Sequence, residues 1–165
     1  MRTITEPGIE ELYREHALGL MRFALLLTSD RTAAEDLVQD AFLGLHRQWG
    51  AVRDPDRVLG YLRTAVVNGS RSLHRRRLSA LRFRPEPAQP AGSAEAAVLA
   101  SEDRRALYAA VSRLPRRQRE VLALKYFLDL SEQEIAAILR ISRGTVASTS
   151  SRALAALARE LQEES

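Results

Sequence analysis

The spacing of apolar residues predicts helices along the whole chain. Apolar side chains recur at helical spacing over residues 9–27 and again over 33–49, and strand-type alternation is absent. Thr28, Ser29 and Asp30 end the first helix with turn-forming residues, and Thr32 followed by Glu35 matches the capping box that opens the second. The buried stripe of the second helix is predicted to hold Leu37, Val38, Ala41, Phe42 and Leu45. We therefore expect an all-α fold.

Three prolines divide the helical pattern into two parts. Pro85, Pro87 and Pro90 cannot lie in a helix interior, so residues 81–100 are predicted to form a flexible linker. This linker joins two small helical domains, at 5–80 and 101–165. Because such a linker permits many arrangements, we expect the two domains to be separate bodies that share no core.

The second domain carries the pattern of a helix-turn-helix. Ser131 and Glu134 form a capping box that opens a short helix, Arg140 to Ser142 make a tight turn, and Ser142 caps a longer helix. Pro115 suits the first position of the helix before them, since its missing donor would be unpaired there. The apolar positions predicted to face the core are Leu107, Ala110, Val111, Leu114, Val121, Leu122, Leu124, Tyr126, Phe127, Val146, Leu154 and Leu157. Short helical hairpins also occur in plain bundles, and that alternative stays open.

The longer helix of this motif holds candidate DNA-binding residues. If the motif reads DNA, its outer side chains lie at the major groove or its phosphates, where Ser and Thr bond several base edges and Arg prefers guanine. Together with Ala147, the candidates are Arg143, Thr145, Ser148, Ser151 and Arg152.

Charge is distributed unevenly along the chain. The formal net charge is +4, from 25 basic and 21 acidic residues, yet residues 57–85 hold eight arginines and no acid. Residues 1–56, in contrast, carry ten acidic and six basic groups. The pattern over 61–77 predicts a helix with an apolar stripe and an arginine-bearing face, which suits a polyanion such as nucleic acid because Arg pairs with phosphate in bidentate geometry. Charge alone leaves a merely solvated basic face open. The acidic segment 1–56 followed by the basic segment 57–85 indicates two different partners, one of them anionic.

Little in the sequence indicates catalysis. Glu35, Asp36 and Asp40 share an amphipathic helix, but no His, Cys or metal-ligand set accompanies them, so a protein-docking face is favoured over catalytic carboxylates. There is no cysteine and no phosphate-binding glycine loop. We expect a non-enzymatic protein without cofactor or metal. Since no apolar run approaches about 20 residues, we also expect a soluble, cytoplasmic protein without membrane insertion.

Three sets of motifs, in order along the chain, resemble those of bacterial RNA polymerase sigma factors of the extracytoplasmic-function type, which is group 4 of the sigma-70 family. Residues 34–42 resemble the polymerase-docking helix of that family, and residues 61–77 resemble its promoter-opening region. Residues 114–121, 130–136 and 144–146 together resemble the module that reads the minus 35 element. The resemblance implies a promoter-specificity subunit that binds core RNA polymerase, recognises the minus 35 and minus 10 elements and promotes DNA opening.

The resemblance also implies roles for individual positions. The residues implied to contact the coiled coil of the largest polymerase subunit are Glu35, Asp36, Gln39 and Asp40. The residues implied to contact the minus 10 element are Tyr61, Arg63, Asn68, Arg71, Ser72, Arg75 and Arg76. One base of this element is expected to be flipped into a pocket near Asn68 and its loop. The residues implied to contact the minus 35 element are Arg143, Thr145, Ser148, Ser151 and Arg152. An anti-sigma factor that clamps the two modules together is left open as a further partner.

The chain departs from the family pattern at two places. Ala147 and Thr149 flank Ser148 where relatives often carry a basic residue, so weak or unusual minus 35 binding is expected. Arg140 stands where the turn usually has glycine, and a left-handed backbone there would cost about 1 kcal/mol. We therefore expect a slightly altered turn.

A free-standing repressor or activator that uses only the helix-turn-helix is the alternative from another class. It predicts a dimer that binds duplex DNA tightly by itself, and the chain has no dimerisation heptad. A gel shift separates the two hypotheses, since a sigma factor of this type is expected to bind duplex poorly alone.

Overall fold

The computed structural model describes residues 8–52, 54–83 and 102–163, which form seven α-helices and no strand. In the first part the helices are α1 (Ile9–Thr28), α2 (Arg31–Arg47) and α3 (Pro55–Phe83), and the 3-10 turn Trp49–Ala51 precedes α3. In the second part they are α4 (Glu102–Ser112), α5 (Arg116–Leu122), α6 (Glu132–Leu139) and α7 (Arg143–Glu163), and the π-turn Ala123–Phe127 follows α5. The all-α prediction is confirmed, and α6 and α7 form the predicted helix-turn-helix.

The helices α1, α2 and α3 pack around a common core in the first part of the chain. Phe23 of α1 and Leu62 of α3 have no exposed surface. The stripe predicted for α2 is buried at every position, and Ala34 joins it. A Cβ atom at Gly69 would come 2.6 Å from Cδ2 of Leu37, so the absence of a side chain lets α2 and α3 cross closely.

Local hydrogen bonds fix the helix-turn-helix as the sequence predicts. The hydroxyl of Ser131 accepts the backbone N–H of Glu134 at 3.1 Å, and the Glu134 carboxylate accepts the backbone N–H of Ser131 at 2.8 Å. These bonds to Ser131 lower the pKa of Glu134, because they stabilise its ionised form. Ser142 accepts the backbone N–H of Thr145 at 3.0 Å and so caps α7. Pro115 occupies the N-cap position of α5, one residue before the predicted place.

The predicted capping box at the start of α2 is wrong. Asp30 is the N-cap, and its carboxylate accepts the backbone N–H of Ala33 at 3.2 Å. Ser29 adopts a left-handed conformation with φ 55°, which ends α1 and leaves Asp30 in extended backbone at the head of α2. Glu35 instead pairs with Arg31, one turn before it. Asp30 and Thr32 are both residue types that cap helices, and the geometry of the turn makes Asp30 the N-cap.

The turn between α6 and α7 keeps left-handed geometry without glycine. Arg140 has φ 56° and ψ 47°, and its N–H bonds to the carbonyl of Ala136. The expectation of an altered turn is therefore wrong. The chain tolerates the strain of a side chain in this conformation, of order 1 kcal/mol.

The two parts of the chain pack against each other. Buried residues of both parts form one continuous apolar cluster, which includes Leu20 and Phe23 from α1 and Leu124 and Ile135 from the second part. Helix α1 contacts α4, α5 and the π-turn, and α3 contacts α6. The expectation of separate bodies without a shared core is therefore wrong in this structure. Helix α3 continues to Phe83, into the predicted linker, and residues 84–101 lie outside the described residues.

Four residues that the apolar pattern assigns to the core are exposed. They are Leu107 (42%), Tyr126 (54%), Phe127 (40%) and Leu154 (43%). For the two aromatic residues the cause is the π-turn, which widens the helix by one residue per turn and so shifts the register on which a 3.6-residue pattern depends.

Replacing Arg140 by glycine should raise the free energy of unfolding by about 1 kcal/mol, because glycine adopts the left-handed conformation without steric cost. Urea unfolding followed by circular dichroism measures the change. Arg140→Ala is the matched control, since it removes the long side chain but keeps Cβ. An equal gain in both variants would mean that the side chain, not the backbone conformation, is the source of the strain.

Candidate nucleic-acid interface

The exposed side of α2 presents an acidic face. Its four members, all exposed while the opposite side is buried against α1 and α3, are Glu35, Asp36, Gln39 and Asp40. Within residues 8–52, 54–83 and 102–163, Glu35 is the one member of this face with an ion-pair partner, since Nε of Arg31 lies 3.2 Å from its Oε1. Leu43, which is 54% exposed, follows Gln39 and Asp40 by one helical turn and so lies on the same face. The sequence reading missed Leu43, although its helical spacing from Asp36 and Gln39 was visible.

An ion pair fixes α2 relative to α3. One oxygen of the Asp30 carboxylate caps α2, and the other accepts a hydrogen bond from Nη2 of Arg77 at 2.6 Å. The same carboxylate thus joins the first turn of the helix with the acidic face to the basic C-terminal half of α3.

Helix α3 exposes part of its predicted DNA-binding set. Asn68, Arg75 and Arg76 are exposed, and Ser72 is half-buried, with its hydroxyl 3.2 Å from Nη2 of Arg75. Asn68 lies in the middle of a continuous helix, so no loop adjoins it within α3, and the flipped-base contact near Asn68 stays a prediction. The spacing of Asn68, Ser72 and Arg75 places them on one side of the helix.

Tyr61 lies two turns before Asn68 on that side of α3. Its hydroxyl lies against α2, since a Cβ atom on Gly44 would come 2.6 Å from it. Tyr61 also lines a hollow of about 360 Å³ between α3 and the segment that precedes it, together with Leu45, Gln48, Ala51, Val52, Asp54, Arg57 and Val58.

Two further predicted residues of α3 face the second part of the chain. Arg71 makes a bidentate pair with Glu120 of α5, with Nε 2.8 Å from Oε2 and Nη2 3.1 Å from Oε1. Burial lowers the pKa of the Arg63 guanidinium, and the nearby Glu134 carboxylate of α6 opposes that effect. Both arginines are therefore half-buried, Arg71 beside α5 and Arg63 beside α6. The residues adjacent to them in the sequence gave no sign of these contacts.

The outer face of α7 carries all five predicted minus 35 residues. Each of them is exposed: Arg143, Thr145, Ser148, Ser151 and Arg152. Arg152 donates hydrogen bonds to the carbonyl and hydroxyl of Ser148, at 3.3 and 3.2 Å, which orders the two side chains together. Thr149 is buried and Ala147 is half-buried, so Thr149 does not reach this face.

An apolar groove of about 390 Å³ lies between α1, α4, α5, the π-turn and α7. The four exposed residues that were predicted to be buried all line it: Leu107, Tyr126, Phe127 and Leu154. Arg22 and Arg104 are the charged residues of its lining. An exposed apolar cluster of this kind is typical of a protein-docking surface.

The described residues carry no sign of a metal centre or a membrane span. Over residues 8–52, 54–83 and 102–163, no group of three or more His, Cys, Asp or Glu side chains is arranged to hold a metal ion. Within the same residues, no helix combines the length and the hydrophobicity that crossing a membrane requires.

Comparison with known proteins matches both parts of the chain. The family models for sigma-70 region 2 and sigma-70 region 4 match residues 12–79 and 104–157. The RNA polymerase sigma-E factor of Streptomyces avermitilis is 33% identical over 153 residues, which cover 93% of this chain and 84% of that protein. The ECF RNA polymerase sigma factor SigL of Mycobacterium tuberculosis is 32% identical over 157 residues, with coverage of 92% and 88%.

Solved structures agree with these matches. The sigma factor RpoE of Bartonella quintana, in complex with the anti-sigma factor NepR, superimposes with a TM-score of 0.74 at 26% identity, over 93% of this chain and 98% of that one. CnrH in complex with the cytosolic domain of CnrY gives a TM-score of 0.70 at 25% identity, over 95% and 89%.

The chain belongs to the sigma-70 family of transcription initiation factors. Within that family, its relatives make it a sigma factor of the extracytoplasmic-function type. It is a non-enzymatic, promoter-recognising subunit that binds core RNA polymerase and promoter DNA.

Replacing Asp30 by alanine removes both the cap of α2 and the ion pair to Arg77, and should lower the free energy of unfolding by about 1–2 kcal/mol. Asp30→Asn keeps a capping oxygen and loses only the ion pair, so its loss should stay below about 1 kcal/mol. Urea unfolding of both variants checks the difference. Equal losses would show that the cap contributes nothing.

Proposed function

We propose that the acidic face of α2 docks on core RNA polymerase while α3 and α7 bind the minus 10 and minus 35 elements. The observation that carries this division is that each set of matching residues occupies its own helix. The α2 and α7 sets are wholly exposed, and α3 exposes Asn68, Arg75 and Arg76. The protein acts in the cytoplasm, because its polymerase partner does.

The docking contact is electrostatic with an apolar centre. Asp36 and Asp40 lie one turn apart and form no ion pair within the part of the chain that the structure describes, so they are open to basic side chains of a partner. Leu43 adds an apolar contact beside them, and a central apolar residue ringed by polar ones is the usual form of a strong protein contact.

Asp40→Arg should weaken binding of core polymerase by about tenfold or more, because it places like charges across the contact. Fluorescence anisotropy with purified core enzyme measures the dissociation constant. Glu11→Arg is the matched control: it makes the same charge change at an exposed acidic residue on α1. The role of the acidic face is refuted if the two variants bind core equally well.

Opening of the minus 10 element uses both the exposed arginines of α3 and the hollow beside Tyr61. Arg75 and Arg76 bind phosphates, Asn68 and Ser72 reach base edges, and the hollow beside Tyr61 receives an unstacked base. Unstacking costs a few kcal/mol, and contacts in a pocket together with stacking on an aromatic ring offset that cost. No nucleotide hydrolysis is needed, since binding of single-stranded DNA biases the equilibrium towards the open state.

At the minus 35 element, the paired Ser148 and Arg152 side chains form the centre of the reading face. Arg152→Ala should lower the affinity of the polymerase holoenzyme for the minus 35 element by 1–3 kcal/mol, roughly five- to 150-fold. Arg159→Ala serves as the control, because Arg159 is exposed on the same helix about 10 Å further along. Transcription from promoters with and without a minus 35 element measures the effect, and similar losses on both promoters would contradict the assignment.

An anti-sigma factor is proposed as a second protein partner. One similar solved structure is a complex of a sigma factor with an anti-sigma factor, and another is a complex of CnrH with the cytosolic domain of CnrY. The apolar groove suits an amphipathic helix whose acidic residues face Arg22 and Arg104.

Run-off transcription tests the proposed function as a whole. Core polymerase is mixed with the purified chain and a library of promoter fragments, and specific initiation above core alone is expected. Failure to initiate from every promoter would refute the proposal, and tight binding of duplex DNA by a dimer without polymerase would favour a free-standing regulator instead.

A further inference from the structure

We propose that Gly44 of α2 is a positioning residue for promoter opening. Because position 44 has no side chain, the ring of Tyr61 can lie against α2 and form part of the wall of the hollow beside α3. The inference deepens the proposed function and rests on the minus 10 role of that hollow. Gly44 touches no DNA in this scheme and acts only through Tyr61.

Gly44 and Tyr61 face each other across α2 and α3. A Cβ atom on Gly44 would lie 2.6 Å from the hydroxyl oxygen of Tyr61 and 3.8 Å from Cζ of its ring. Distances of 3.4–4 Å are ordinary van der Waals contacts, so only the hydroxyl would clash. The Tyr61 hydroxyl therefore occupies the space that any side chain at position 44 would need.

The backbone on both sides of this contact is fixed by buried neighbours. Leu45, the next residue of α2, is 1% exposed, and Leu62, the next residue of α3, has no exposed surface. Close-packed cores resist displacement, whereas the half-buried Tyr61 ring can turn about its side-chain bonds. A side chain at position 44 would therefore displace the ring and leave the two helices in place.

The position of the ring matters because of what surrounds the hollow. The hollow has a volume of about 360 Å³, and Val52 and Val58 contribute apolar walls beside Tyr61. Its charged lining residues, Asp54 and Arg57, are exposed and lie 3.7 Å apart as an ion pair. An aromatic ring beside an apolar cavity with a few polar groups at its mouth suits a flat, unstacked base.

The displacement is large enough to disturb that fit. The Tyr61 hydroxyl would have to retreat from 2.6 Å to the 3.4 Å of an ordinary contact with a methyl group at position 44. Stacking of a base on an aromatic ring is worth roughly five- to 150-fold in affinity. A ring displaced by this distance keeps only part of that gain, because stacking and pocket contacts depend on close alignment.

Run-off transcription with core polymerase tests the role of Gly44. The template is a promoter selected from the fragment library, supplied once as duplex and once with its minus 10 segment unpaired by mismatches. Gly44→Ala should lower initiation from the duplex about five- to tenfold and change initiation from the unpaired template by less than about twofold, because the unstacking cost is already met there. Gly19→Ala, the matched control, makes the same change inside α1 where the added Cβ atom meets no neighbouring side chain within 4 Å, and it should leave both templates unaffected.

The same change in a Tyr61→Phe background isolates the contact between the two residues. Without the hydroxyl, the nearest ring atom is Cζ, at an ordinary 3.8 Å from the Cβ atom added at position 44. Gly44→Ala should therefore cost nothing further in that background, whatever Tyr61→Phe does by itself. An equal loss in both backgrounds would overturn the positioning role, since the clash with the hydroxyl would not be its cause.

Two measurements on the free chain show whether the ring moves. The chain has four tyrosines, and with isotope-labelled tyrosine the ring signals of Tyr61 should shift in the nuclear magnetic resonance spectrum of Gly44→Ala but not in that of Gly19→Ala. The melting temperature of Gly44→Ala should equal or exceed that of the wild-type chain, because alanine suits a helix interior better than glycine. Unmoved ring signals, or a lower melting temperature, would overturn the proposal, because the ring would then not be the part that yields.

Arg75→Ala separates this inference from the proposed function. If Arg75→Ala weakens initiation from the duplex and Gly44→Ala does not, the minus 10 role of α3 stands and the positioning role of Gly44 is overturned. If neither variant weakens initiation, the minus 10 role itself fails and the inference fails with it.

Discussion

The bidentate contact between Arg71 and Glu120 ties together the two parts of a chain whose task is to act at two separated places. It uses an arginine of α3, and the Glu120 carboxylate is buried because α5 and the π-turn pack on the first part through apolar residues such as Val121 and Leu124. The rest of the closed arrangement follows from this constraint. Once α5 is held against α3, α6 covers Arg63, and the outer face of α7 and the acidic face of α2 are left exposed.

The three proposed interfaces, on α2, α3 and α7, differ in how much of their surface is exposed. The acidic face of α2 is open before any partner binds, so core polymerase can engage it first. The proposed minus 10 surface is only partly exposed, since Asn68, Arg75 and Arg76 are exposed and Arg63 and Arg71 are half-buried.

Local features were predictable from the sequence, and long-range ones were not. The capping box of Ser131 and Glu134 and the exposed face of α7 depend on residues within one or two turns, and their spacing specifies them. The cover over Arg71 depends on a residue 49 positions away, which no local pattern reveals. The apolar pattern wrongly assigned Tyr126 and Phe127 to the core, because a π-turn shifts their helical register. At the start of α2 the N-cap is Asp30 and not Thr32, because the left-handed backbone at Ser29 ends α1 directly before Asp30.

The apolar cluster that the two parts share requires that the chain without polymerase is a single compact body. Small-angle X-ray scattering of the full chain at low concentration tests it most directly. A radius of gyration near 15 Å is expected for a compact chain of this length. A value above about 20 Å, as expected for two small domains moving apart on a tether, would contradict the account.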